Sequence, residues 1–211
     1  MDATKVVGPA ERLLGIDWSG IFGHDGLSVY DRFTSATHQQ CFPHLLRRCD
    51  PLIEGGTDAA LAFPRGVKEV LLEGLAYRNR SRLDEMTAHG MKVMAGRLIM
   101  QMWGLARHPK THAANERFAK FLEKHLDGRF TFLRLPGTDA TNWRGEQVVR
   151  SAVVNRKAWG DNRIEVGVLA QSRIMSVIQT CEQRSADPFD FIRRQLTAGT
   201  SMTLPLPITA R

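Results

Sequence analysis

A chain of 211 residues with 43% hydrophobic and 24% charged side chains holds one domain of ordinary size, or one with an insertion, and is neither fibrous nor globally disordered. Its net charge of +7 rests on 22 arginines against 7 lysines and favours polyanionic partners, DNA first among them, although a GC-rich coding sequence gives the same arginine bias. Three cysteines, no apolar leader at Met1–Lys5 and no apolar run longer than that near Leu98–Leu105 exclude a disulfide framework and a membrane span, so a cytoplasmic, soluble chain is expected.

In chain order, residues 9–14 read as a short helix and Gly20–Gly23 as a buried strand running into His24-Asp25-Gly26, which places Asp25 at a strand end. Tyr30, Asp31 and Phe33 suggest another short helix. His38 to Phe42 reads as a second strand, and Pro43 opens a helix carrying Leu45, Leu46, Arg47 and Arg48. This is α/β alternation. The Pro, Gly and Asp content of residues 50–66 marks a loop, beyond which the apolar period becomes helical. Val67, Val70, Leu71 and Leu75 form one stripe, Met91, Met94, Leu98 and Met102 a second, and Phe118, Phe121, Leu122 and Leu126 a third, all expected to pack as core.

Phe130 to Leu135 reads as a short extended piece before Pro136-Gly137. The run from Thr141 to Lys157 then predicts a helix in which Thr141 caps the start and Glu146 stands four residues before Arg150, on one face. Read alone, that pair is a surface ion pair on a basic helix. Ala170, Ile174, Val177, Ile178 and Cys181 make a further stripe, Pro188 opens a helix with Phe189 and Ile192, and the tail from Thr197 is loose.

Glu146 gains a second reading from its surroundings. Phe132-Leu133-Arg134-Leu135-Pro136-Gly137, Thr141-Asn142-Trp143-Arg144-Gly145-Glu146 and Ser176-Val177-Ile178-Gln179-Thr180-Cys181, in that order, resemble the last third of an insertion-sequence-66-type transposase catalytic domain. Asp25-Gly26-Leu27-Ser28-Val29-Tyr30 and Cys41-Phe42-Pro43-His44 with Arg47-Arg48 resemble earlier segments of the same family. The resemblance implies a bacterial Asp-Asp-Glu enzyme with a ribonuclease-H-like core, in which Asp25 is the second acid and Glu146 the last. Both would bind Mg2+ in a two-metal site for phosphodiester hydrolysis and strand transfer.

The implied fold is a truncated ribonuclease-H-like α/β core with a large all-helical insertion and C-terminal helices. Its parts are residues 1–50 with the second acid, the insertion over 51–135, the catalytic helix region over 136–196 and the tail over 197–211. No residue matches the family's first aspartate; Asp17 belongs to the approach to the Asp25 strand. A catalytically impaired transposase is therefore expected, with a non-catalytic DNA-binding remnant as the alternative. Arg47, Arg48, Arg144, Arg150, Arg156 and Lys157 are the candidate phosphate contacts. The implied partners are DNA, a second copy or another transposase chain, and the implied location is the bacterial nucleoid.

Two features depart from the family's pattern: Trp143 stands where a second asparagine is usual, and Gly145 where alanine is usual. Trp159, in Arg156-Lys157-Ala158-Trp159-Gly160, either anchors the helix end in the core or stacks on a base. His38, Cys41, His44 and Cys49 are zinc-type ligands, but they lack the two short pairs and intervening loop of structural zinc sites. The competing reading packs Cys41 in the strand and leaves His44 to the helix start or the active-site floor.

Overall fold

The computed structural model describes residues 10–83, 85–160 and 162–198, the side chain of Trp159 excepted. The fold is mixed α/β but mainly helical, and the chain divides into two compact units, Met1–Asn142 and Trp143–Arg211.

In the first unit residues 10–14 are helical, as expected, and strands β1 (Ile21–His24) and β2 (Thr37–Gln40) pair in parallel, with His24 opposite Gln40; β1 is not the buried strand expected, since Ile21 is exposed and of its residues only His24 is buried. Parallel strands require a crossover, here residues 25–36 with a 3-10 turn at Ser28–Arg32. Strand β2 ends before Phe42, earlier than the sequence suggests. Cys41 bends the chain into helix α1 (Phe42–Glu54), and the Phe42 N–H turns away to the carbonyl of Ala140 at 2.9 Å.

Helix α1 also runs through Pro51, which overturns the expected loop from residue 50. Phe42, Leu45 and Cys49 bury one face of it, and Pro51 falls in the last turn, just ahead of the terminating Gly55. What remains of the loop is a short link and a 3-10 turn at Asp58–Leu61 before helix α2 (Ala62–Arg82). Helices α3 (Ala88–Arg107) and α4 (Ala113–Lys124) follow, the first capped by Thr87, whose hydroxyl accepts the Gly90 N–H at 3.1 Å.

The three apolar stripes meet, although Met94, expected in the core, is not part of it. Val67, Leu71, Leu98, Met102 and Leu122 are fully buried in one cluster with Phe42, Leu45 and Phe130, and α2 packs between α1 and α3. Each such side chain contributes roughly 1.5–3 kcal/mol by leaving water.

Phe130 to Leu135 is not extended. Thr131–Arg134 form a helical turn, α5, because side chains satisfy its backbone in place of a strand ladder. Gln39 reaches from β2 to accept the Phe132 N–H at 2.9 Å and donate to the Arg129 carbonyl at 2.7 Å, and Thr131 donates its hydroxyl to the His38 carbonyl at 2.7 Å. Arg129 is wholly buried and gives its guanidinium to the carbonyls of Phe121 and Leu122, closing the end of α4.

The second unit holds helices α6 (Trp143–Trp159), α7 (Glu165–Gln183) and α8 (Pro188–Thr197). Asp187 caps α8 by accepting the Asp190 N–H at 2.8 Å. The expected stripe on α7 is not a core. Among the described residues of this unit only Cys181 is buried, while Ile174 is 53% exposed. A cavity of about 670 Å³ opens between α6 and α7, lined by Val148, Val149, Val153, Val168 and Met175 among others. The residues beyond 198, including most of the tail expected from Thr197, lie outside the described part.

Candidate active site

Asp25 follows β1 directly and is partly exposed, as the sequence places it. Its Oδ1 accepts the Leu27 N–H at 3.1 Å, an Asx turn that fixes the side chain against its own backbone. Gly26 is required within this turn. Its φ of +88° is hostile to other residues, and a Cβ there would meet the Phe121 ring at 3.0 Å.

Beneath the turn lies a pair of histidines whose role the sequence alone does not reveal. His38 Nε2 is 2.9 Å from the Phe33 carbonyl, which can only accept, so that nitrogen carries a proton. The Gly26 N–H donates to His24 Nδ1 at 3.1 Å, so that nitrogen is bare. His24 Nε2 must then donate to His38 Nδ1 across 3.1 Å, and both rings are neutral. The chain of bonds runs from the Asp25 turn through both strands to Phe33. Burial, then His38, push the His24 pKa down to about 4, although Asp25 pulls the other way. A proton on His24 Nδ1 would set two donors face to face and break the bond that shapes the turn.

Aromatic rings enclose the pair. Phe22 packs edge-on against Tyr30 and Phe33, with ring centroids 5.2 Å away in each case, and Tyr30 lies 5.2 Å from the His24 ring. Burial and the Asp25 charge raise the Tyr30 hydroxyl pKa. The neighbouring Asp31 is already engaged: Lys124 Nζ lies 2.7 Å and His125 Nε2 3.4 Å from its carboxylate. Register carries the missed signal, since pairing His24 with Gln40 sets His38 opposite Phe22, on the same face as His24.

The four zinc-type ligands do not form one set. Both ring nitrogens of His38 are committed to His24 and Phe33. Cys49 sits in the core with its thiol toward the Leu45 carbonyl, and burial pushes its pKa up to about 12, the wrong protonation state for a metal ligand. Cys41 and His44 do come together, with ligand atoms within 4.8 Å, and Cys41 Sγ accepts the Asn142 N–H at 3.3 Å.

In the second unit Glu146 lies exposed in the first turn of α6, as expected. Thr141 is not the cap. Its hydroxyl donates to Asp139, 3.3 Å away, and the helix starts at Trp143. The four cations of this helix divide by face. Trp143, Glu146, Arg150 and Lys157 fall at i, i+3, i+7 and i+14, sharing one face with Val154, whereas Arg144 and Arg156 leave the backbone on other sides; Arg156 lines the cavity beside α7. In the first unit Arg47 turns its Nε back to the Pro43 carbonyl at 3.2 Å, and Arg48 lies 3.9 Å over the Phe121 ring.

Carboxylate oxygen is the right donor type for a hard divalent ion, and Asp25 and Glu146 supply it. The number is small: within Met1–Asn142, no group of three possible ligands among the described residues includes Asp25. No helix among the described residues is long and apolar enough to cross a membrane.

The first unit thus carries an acid at the end of a parallel strand pair, and the second an acid on a basic helix. The model of the family described as "Transposase IS66 family" matches residues 5–169, and the chain belongs to that family. Membership supports a role in DNA transposition and recombination, with DNA as the partner. No curated protein and no solved structure matches the chain.

Proposed function

We propose that this chain takes part in transposition as a phosphodiester-transfer module of ribonuclease-H-like descent that supplies two acids, Asp25 and Glu146, and is impaired when acting without a third. The observation that carries the reading is the built turn at Asp25. A neutral histidine pair with His24 buried, a glycine at positive φ and an Asx bond all serve to hold one carboxylate at a strand end. A turn with no further task needs none of the relay.

Asp25 and Glu146 would hold Mg2+, which supplies charge neutralisation for the attacking and leaving oxygens of an in-line displacement. The chain's own cations have a separate task. Arg150 and Lys157, on the face of Glu146, would hold the DNA backbone without reading its sequence, and Arg47, Arg48, Arg144 and Arg156 extend the basic surface.

The second reading, a DNA-binding remnant without catalysis, is favoured by the small number of carboxylates near Asp25 and by the engagement of Asp31 with Lys124 and His125. One experiment separates the two. Labelled duplex is titrated with the full chain across a salt series, then incubated with Mg2+ in the presence and absence of a polypeptide bearing a family first-acid strand. Binding that weakens steeply with salt is expected, with the slope reduced by about one for each of Arg150→Ala and Lys157→Ala. Cleavage restored by the added polypeptide and lost in Asp25→Asn supports the catalytic reading. Salt-dependent binding that never leads to cleavage selects the remnant, and absence of binding at low salt overturns both.

A further inference from the structure

The first turn of α6 carries a side chain that neither the acids nor the phosphate contacts explain. Trp143 is the largest apolar residue of the second unit with a described side chain, yet it is 50% exposed. The guanidinium carbon of Arg144 lies 5.7 Å from its ring centroid. It also shares its face with Glu146, Arg150 and Lys157. Exposed tryptophan costs free energy in water, and a flat indole flanked by cations suits one kind of ligand in particular. Nucleobases stack on it, while phosphates pair with the adjacent positive charges.

We propose that Trp143 is a base-stacking residue that gives the Glu146 helix a preference for unpaired nucleotides at a DNA end. The inference rests on the reading of this chain as a DNA-processing module and specifies the form of DNA it takes. The body of a duplex presents no free base face, because each base is covered above and below by its neighbours. A frayed or single-stranded end does. Stacking is tolerant of sequence, since every base has a π-face, so the preference is for strand state and not for base identity. Arg144 adds a second planar group beside the indole, and Arg150, two turns further along the same face, meets the phosphate that follows the stacked base.

The test uses the full chain and two labelled DNAs, a blunt duplex and the same duplex with a short single-stranded overhang, with binding followed by fluorescence anisotropy. The wild-type chain is expected to bind the overhang DNA roughly five- to 150-fold more tightly than the blunt one, the span that one stacked base confers. Trp143→Ala loses that ratio while blunt-duplex affinity stays within about twofold, and Trp143→Phe keeps most of it. Because the side chain is exposed, both variants should retain wild-type far-UV circular dichroism. Photocrosslinking of an iodouracil overhang to a peptide containing Trp143 provides a readout independent of affinity. An unchanged ratio in Trp143→Ala, or equal binding of both DNAs by the wild type, overturns this inference and leaves the general function standing. Failure to bind either DNA overturns both together.

Discussion

The two units hold their acids in opposite ways. Asp25 stands on a turn bonded to the buried His24, in a unit whose core gathers Phe42, Leu71, Leu98, Met102 and Leu122 at essentially zero exposure. Glu146 rides on a helix in a unit where Val149, Val166, Phe189 and Leu196 face solvent and, among the described residues, only Cys181 is buried. Side chains are placed most precisely where their surroundings lock them, and Asp25 stands in the more closely packed of the two units.

Truncating one large side chain in each unit gives the sharpest contrast. Phe42 is fully buried and packs edge-on against Phe130 and Phe132, with centroids 5.5 and 5.0 Å away. Phe42→Ala is expected to cost about 3–5 kcal/mol in urea unfolding, because it opens a cavity as well as losing burial. Phe189 is 78% exposed, and Phe189→Ala is expected to stay within about 0.5 kcal/mol. Comparable losses at the two sites would mean that the second unit has an interior after all, and the comparison would fail.

A second difference concerns pH. The unfolded chain protonates His24 near the ordinary 6.5, whereas the folded chain resists until about pH 4, so the unfolded state binds the extra proton between those values. The stabilisation is therefore complete above pH 6.5, declines as pH falls, and is gone below about 4. The full span corresponds to roughly 3 kcal/mol. His38, His125, Asp25 and Asp31 face the same ring and adjust the midpoint. His24→Asn offers an acceptor where Nδ1 stood but does not titrate, so its urea midpoint should vary less with pH across this range in metal-free buffer. Equal pH dependence in the variant and the wild type would place the titrating group elsewhere.

The sequence was informative where one residue's own pattern decided its place. The three helical stripes of the first unit, the strand before Asp25 and the helix bearing Glu146 all stand where periodicity and turn residues put them. It was uninformative where distant partners decided. Nothing local announces that Gln39 will satisfy Phe132 and Arg129, some ninety residues away, and so turn an apparent strand into a helical turn. Likewise Pro51 looked like a helix stop, but burial of Phe42, Leu45 and Cys49 on one face carried the helix past it. The histidine pair was hidden because His24 and His38 become neighbours only through parallel register. On α7 the error ran the other way. An apolar stripe at helical spacing says that a helix has a face to bury, not that its own unit supplies the cover.

The smallest effect tests the weaker unit from within. Gly145 lies in the first turn of α6, directly before Glu146, where glycine costs a helix about 0.5–1 kcal/mol relative to alanine. Gly96 occupies an exposed position in α3, where an added Cβ meets nothing within 4 Å, so Gly96→Ala serves as the matched change in the packed unit. Tertiary contacts already hold α3, so the Gly96 variant should shift the unfolding midpoint slightly and leave native far-UV circular dichroism unchanged. Helix α6 depends more on its own propensity, because little packing supports it. Gly145→Ala should therefore raise native helicity and slow amide exchange through the first turns of α6, with little change in the global midpoint. If both variants instead moved only the midpoint, α6 would be as firmly held as α3, and Glu146 would be as firmly placed as Asp25.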